Sequence, residues 1–181
     1  MTYVKPSESR RKGPVREDRC LEPIAHCLIR TLVVPKIYFN RNWPPFRGFE
    51  RRPQTSIDVL AIDRAGTGDV HAVELKFTLR EALTKGVKAV SQVPAHYLWV
   101  AYQGSGLNLE DGGAELMLLS ETPLLPSSGM GRIGVIEVVS MVDLNLGAKI
   151  RLRAERFKTP DLERNIASFV RREKADIEFK G

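Results

Sequence analysis

Asp58, Glu74 and Lys76 are the side chains of this sequence whose types and spacing best suit chemistry. Glu74 and Lys76 stand two apart in the run VHAVELKF, residues 70–77. Alternate side chains of a β-strand share a face, so this spacing sets a carboxylate beside an ammonium. Val73, Leu75 and Phe77 then point the other way, into a core. Asp58 stands in the earlier run TSIDVLAID, residues 55–63, which also reads as a strand. Two carboxylates can hold Mg²⁺, or Mn²⁺, and leave positions open for water and a phosphate. Such an ion polarises a phosphoryl oxygen and lowers the pKa of its bound water. A neighbouring lysine orients that water and offsets the charge that develops. The chemistry these residues suit is metal-assisted hydrolysis of a phosphodiester.

The three side chains meet only if the two strands form a hairpin in the right register. Residues 64–69, RAGTGD, supply the turn. With Ile62 beside Val70 the loop holds seven residues and Asp58 lies across from Glu74. With Arg64 beside Val70 it holds five and Asp58 lies across from Lys76. Both registers bring the three to one face, whereas a slip of one residue sends Asp58 to the other. The competing expectation is a surface hairpin whose charges pair across the strands and contribute little.

The surrounding elements must hold this hairpin. Leu21, Ile24, Ala25, Leu28 and Leu32 recur at helical spacing, which predicts a helix over residues 19–32. Pro23 is placed in its first turn, and Pro35 helps end it. Cys20 and Cys27, near one face of that helix, read as buried reduced thiols, which fits a reducing compartment. Residues 35–53 read as an irregular loop. After the hairpin come a helix over 79–97, a buried strand over 97–102 and an apolar stretch at 114–119. Strands follow at 133–139 and 149–154, then a helix over 160–174 with Thr159 as N-cap and Pro160 first in the helix. The expected fold is α/β, a mixed sheet flanked by helices with extra strands and a helix after the central part. Its 181 residues suit one domain, here 19–181, after a flexible basic arm, 1–18.

This arrangement resembles the PD-(D/E)xK nuclease superfamily, which includes restriction endonucleases, Holliday-junction resolvases and RecB-type exonucleases. The likeness runs through Ile57-Asp58-Val59-Leu60, a turn, and Val73-Glu74-Leu75-Lys76. The family's core order of helix, three-stranded meander, helix and strand would cover about residues 19–103, which implies a restriction-endonuclease-like sheet. By that resemblance Asp58 and Glu74 are metal ligands, with the Leu75 carbonyl as a third, and Lys76 is the catalytic lysine. Many members add a glutamate from the first helix; Glu22 is the leading candidate, with Glu17 and Asp18 behind it. Some members carry Gln-x-x-x-Tyr on the second core helix. Here Gln92 precedes His96 and Tyr97, so the spacing departs by one residue, and Ile57 replaces the motif's proline. Many such enzymes cut both strands as homodimers, which makes a second copy one expected partner, although no dimer seam stands out in the sequence.

Charge supports a nucleic-acid partner. Lys and Arg number 28 against 22 Asp and Glu, a formal net charge of +6, and DNA is the expected polyanion. Residues 1–16 carry five basic side chains and one acid. In residues 35–53, Tyr38, Phe39, Trp43, Phe46 and Phe49 alternate with Lys36, Arg41, Arg47, Arg51 and Arg52. Arg47, Arg51 and Arg52 are expected to contact nucleic acid, while each aromatic is expected to tuck under the sheet. No apolar stretch approaches bilayer length, and no signal-peptide core precedes the domain. The expectation is a cytoplasmic protein with no membrane partner.

Other signals lack context. Residues 129–134 fit GxGxxG but lead from a loop into a strand, not from strand to helix. His26, His71 and His96 lack metal-ligand spacing, and His71 reads as a structural histidine. Two competing functions remain from other classes: a catalytically silent nuclease-fold module that binds nucleic acid or a protein, and a domain with no nucleic-acid role.

Overall fold

The structure, a computed structural model, describes residues 17–33, 35–43, 55–64, 68–104, 131–140, 145–159 and 162–178. It is an α/β fold built on one seven-stranded mixed sheet. In chain order the elements are α1 (Asp18–Ile29), β1 (Lys36–Trp43), β2 (Thr55–Ile62) and β3 (Val70–Lys76). A helical crossover follows, formed by Leu79–Glu81, Ala82–Gly86 and Val87–Val90, here called α2. Then come β4 (Tyr97–Gln103), β5 (Gly134–Ser140), β6 (Leu146–Leu152), α3 (Leu162–Arg172) and β7 (Ile177–Glu178). The strand order is β6-β5-β4-β3-β2-β1-β7. β3, β4 and β5 run parallel, and the remaining neighbours pair antiparallel.

Each face of the sheet buries its own core, so the strands in the middle are apolar on both sides. α1 covers one face with Leu21, Ile24 and Leu28 against Val59, Val73, Trp99 and Ile136. α2 and α3 cover the other, where Leu79, Val90, Ile166 and Phe169 meet Leu60, Ala72, Val100 and Val135. Among the described residues no helix is long and apolar enough to cross a membrane.

Several expected boundaries move. α1 starts at Asp18, so Pro23 is its sixth residue and not in the first turn. Residues 36–43, expected as loop, form β1, and only 44–54 lie outside the described residues. Alternation hid this strand. Tyr38 and Trp43, five apart, both face the α2/α3 core, whereas Ile37 faces α1. Helix α2 ends at Val90, seven residues short of the expected end; Pro94 lies beyond it and its carbonyl accepts the Trp43 indole N–H at 2.7 Å. Phe77 lies past the end of β3 and is exposed rather than buried. The Thr159 hydroxyl donates to the Ala95 carbonyl at 2.9 Å; Pro160 lies outside the described residues. β7 was not expected. It pairs with β1, and the Asp176 carboxylate just before it accepts the Phe39 N–H at 2.7 Å.

Candidate functional site

The β2–β3 hairpin adopts the register with Ile62 beside Val70 and a seven-residue connection, residues 63–69. Extending that register by one step sets Asp58 across from Glu74. The paired ladder, however, stops at Val59–Val73. Beyond it the Asp58 Oδ2 accepts the Leu75 N–H at 2.6 Å, so a side chain takes a backbone donor near the end of the ladder.

On its other side, β2 pairs with β1 throughout except at Asp58 and its opposite number, Asn40. Asn40 has φ of 50°, a left-handed conformation that asparagine tolerates better than most residues. The two strands change facing together at this step. Leu60 and Ile62 point into the α2/α3 core and Val59 and Ala61 toward α1, yet Ile57 returns to the α2/α3 side. At this kink the Asp58 carboxylate reaches β3, where it takes the Leu75 N–H.

Glu74 is buried at 8% exposure, and Lys76 is half-buried. The Lys76 Nζ donates to Glu74 Oε1 at 2.6 Å and to the Leu75 carbonyl at 3.0 Å. Glu74 Oε2 is buried with no hydrogen-bond partner, an open acceptor where unpaired polar atoms are costly. Burial, and then the Glu74 charge, push the Asp58 carboxyl up to about 7, although the Leu75 N–H and Lys76 pull it down. Burial works to lower the Lys76 ammonium, but Glu74, Asp58 and Glu17 hold it above the usual lysine value. Two carboxylates therefore repel each other with one cation, bonded to Glu74, nearby. A divalent ion would relieve that repulsion, and Glu74 Oε2 offers it a free oxygen. The donors present suit an oxygen-ligated ion that keeps several waters. Among the described residues no group of three Asp, Glu, His or Cys side chains is placed to hold a metal ion, so the protein side chains at this site number two.

Helix α2 shapes the roof. Its middle segment, Ala82–Gly86, is a turn of π-helix, a local widening that recurs at functional sites. Gly86 lies over the site: a Cβ there would stand 3.3 Å from Val100 Cγ1 and 3.5 Å from Lys76 Cγ. The tight approach is to Val100, while the lysine stem would sit in ordinary contact.

The other expected residues divide. Glu22 is not at the site; it is 3.6 Å from His26 on an exposed side of α1, beside a groove shared with β6. Glu17 is the acid of the α1 terminus whose charge acts on Asp58 and Lys76. The helical line through Leu21, Ile24 and Leu28, continued one turn back, ends at Glu17, so the apolar stripe carried the signal. Gln92 is exposed in the turn after α2, at the opposite end of the crossover from Lys76. Arg47, Arg51 and Arg52 and the basic segment 1–16 lie outside the described residues. Tyr38 and Trp43 are fully buried, and Lys36 and Arg41 pair with Glu178 and Asp176. Cys20 and Cys27 are buried free thiols.

Sequence reasoning did not single out Glu137. It is buried at 8% on β5, where Arg151 Nε donates to it at 2.5 Å and Lys149 Nζ lies 3.2 Å away. By register Glu137 neighbours Tyr102, which neighbours Lys76. One polar row thus crosses β3, β4, β5 and β6. The absence of a side chain at Gly104 makes room for its carboxylate.

No protein-family model and no curated protein matches this chain. Among solved structures, a protein of unknown function from Silicibacter pomeroyi is similar over 90% of this chain and 89% of its own, with 16% identity and a TM-score of 0.45.

Proposed function

We propose that this chain is a metal-dependent nuclease that hydrolyses phosphodiester bonds in DNA, acting in the cytoplasm. The observation that carries the reading is the end of the hairpin, where the Asp58 carboxylate accepts the Leu75 N–H at 2.6 Å beside the Lys76–Glu74 bond of 2.6 Å. Asp58 and Glu74 are the residues that would hold Mg²⁺ or Mn²⁺, with the Leu75 carbonyl beside them. The ion supplies Lewis acidity and a bound water of lowered pKa. Lys76 orients the attacking water and offsets charge on the phosphoryl oxygens. Burial of Glu74 keeps bulk water from screening that charge. The excess of cations over anions favours a polyanionic substrate.

One observation favours a second reading, a nuclease-fold module that binds nucleic acid or a protein without turnover. Lys76 occupies both Glu74 Oε1 and the Leu75 carbonyl, two of the oxygens a metal would use. A single experiment separates the two. Full-length protein is incubated with plasmid, linear, branched and single-stranded DNA in Mg²⁺, in Mn²⁺ and in EDTA. The nuclease reading expects metal-dependent cleavage of at least one substrate, lost in Glu74→Gln, with DNA binding retained in Lys76→Ala. Salt-sensitive binding with no cleavage under any condition supports the module.

A further inference from the structure

A second concavity lies on the α1 face, at the end of the hairpin away from Asp58. It has a volume of about 330 Å³, within the range of small-molecule sites. His71, Tyr97 and Trp99 line it, with Leu32, Asp63, Asp69 and Arg153 among the residues around them.

The three rings make a stepped aromatic wall, in which Tyr97 is the more exposed ring and lies over the buried His71. Trp99 Nε1 donates to His71 Nδ1 at 3.2 Å, and their planes lie within 19° at a centroid separation of 6.3 Å. Rings bonded edge to edge and nearly parallel form one broad plate. Tyr97 stacks on the His71 part of that plate, with centroids 4.4 Å apart and planes within 10°. The Trp99 indole occupies space that a side chain at Gly134 would fill, so Gly134 makes the plate possible.

The polar groups around the plate are complementary to a heteroaromatic ring. The bond from Trp99 assigns the His71 proton to Nε2, and burial keeps the ring neutral, with its pKa lowered to about 4. His71 therefore retains one donor. Asp63 Oδ1 accepts the Val33 and Arg64 N–H groups at 2.6 and 2.8 Å, which leaves Oδ2 as an acceptor. Arg153 is exposed, and among the described residues its guanidinium makes no hydrogen bond or ion pair. An aromatic wall, the His71 donor, the Asp63 acceptor and the exposed Arg153 cation match a ring that carries N–H and acceptor edges and a linked anion; Asp69, the second carboxylate of the lining, is already held by Arg156 at 3.0 Å.

We propose that this cavity binds a nucleotide, its base against the Trp99–His71–Tyr97 surface and its phosphate on Arg153. The ligand is either a free mononucleotide or the phosphorylated end of a strand, since both present the same chemistry. The inference does not rest on cleavage at Asp58 and Glu74, which lie at the other end of the hairpin.

The test is calorimetric titration of the full-length protein in EDTA with AMP, adenosine, inorganic phosphate and a 5′-phosphorylated oligoadenylate. Saturable binding of AMP or of the oligonucleotide end is expected, and whichever binds identifies the source. Arg153→Ala should weaken that binding about tenfold, consistent with loss of a charge-assisted contact. Adenosine should bind equally to both proteins, and Lys76→Ala should leave the affinity unchanged. Tryptophan emission should shift with the same midpoint, because Trp99 forms the wall. The proposal fails if neither phosphorylated probe saturates at millimolar concentration, if phosphate alone binds as well as AMP, or if Arg153→Ala changes nothing.

Discussion

The two ends of the β2–β3 hairpin solve the same problem in opposite ways. At the Ile62–Val70 end the polar groups around the last rung are closed against one another, while Asp63, His71 and Arg153 line the neighbouring cavity. His96 Nδ1 accepts the Val70 N–H at 2.9 Å, the His96 N–H donates to the Val70 carbonyl, and Arg156 holds Asp69. At the Asp58–Glu74 end the paired ladder stops, a carboxylate takes a backbone donor, and Glu74 keeps a buried oxygen without a partner. One histidine is held neutral and one aspartate is pushed up to about 7, both chiefly by burial. The lesson is that burial alone does not mark a site. Burial keeps the histidine neutral against the pull of Asp69 and Asp63, whereas the aspartate also faces a second carboxylate, a repulsion that a proton or a metal cation would relieve.

The largest expected effect breaks the comparison at its chemical end. If the Asp58 end cleaves DNA, Glu74→Gln or Lys76→Ala should lower the rate by about 10²–10³-fold or more. Variants of the closed end, such as His71→Gln, should leave it within a few-fold. Rates of metal-dependent cleavage, measured with thermal melts to confirm folding, check this. Equal losses at both ends would mean that the site is not local.

The next effect is on stability, where the two ends oppose each other. Asp58 has a folded pKa raised from 3.8 to about 7. Between those values the unfolded chain loses its proton first, so stability falls as pH rises through this window. His71 has a folded pKa lowered from 6.5 to about 4. There the unfolded chain binds the proton first, so stability rises with pH across nearly the same window. In the wild type the two slopes offset. Asp58→Asn should unmask the rising slope and be more stable than wild type at pH 8 by on the order of 2–4 kcal/mol, with little difference at pH 4. His71→Gln should unmask the falling slope. Melting temperatures from pH 4 to 8 for the three proteins read both. Parallel curves for all three would refute the opposed burial of these groups. If the Asp58 end holds a metal, Mg²⁺ should raise the wild-type melting temperature more at pH 8 than at pH 5, and not in Glu74→Gln.

Much of this was legible in the sequence because apolar periodicity and turn chemistry are local. The hairpin, its two candidate registers, β4, β5 and α1 follow from residues that alternate or recur as their elements require. β1 escaped because its alternation changes phase at Asn40, and a phase change reads as loop when only spacing is visible. Among the helix acids Glu22 ranked ahead of Glu17 and Asp18, yet the charge that reaches the site is that of Glu17, to which the stripe of Leu21, Ile24 and Leu28 leads back. Glu137 could not be found, since its interest comes from strand order: β5 pairs with β4, which brings a residue more than sixty positions away into line with Lys76. Gln92, whose spacing to Tyr97 already departs from the motif, stands in a turn because the helix ends at Val90, before Pro94.

The smallest effect sharpens the comparison at the kink itself. Asn40 and Asp58 are opposite each other where the β1–β2 pairing is interrupted, and Asn40 has φ of 50°. If the kink exists to place Asp58, the left-handed residue is its hinge, and the backbone cost there is part of the site. Asn40→Gly removes the side-chain penalty at positive φ and should be close to neutral in stability, with cleavage retained. Asn40→Ala should cost about 1 kcal/mol, and Asn40→Val more, because a branched Cβ crowds the carbonyl in that conformation. Chemical denaturation orders the three. The decisive reading is the coupling to Asp58. A valine that forces the strand straight should restore ordinary alternation and swing Asp58 out of reach of the Leu75 N–H. The stabilisation from Asp58→Asn at pH 8 should then shrink in the Asn40→Val background, whereas two independent sites would simply add.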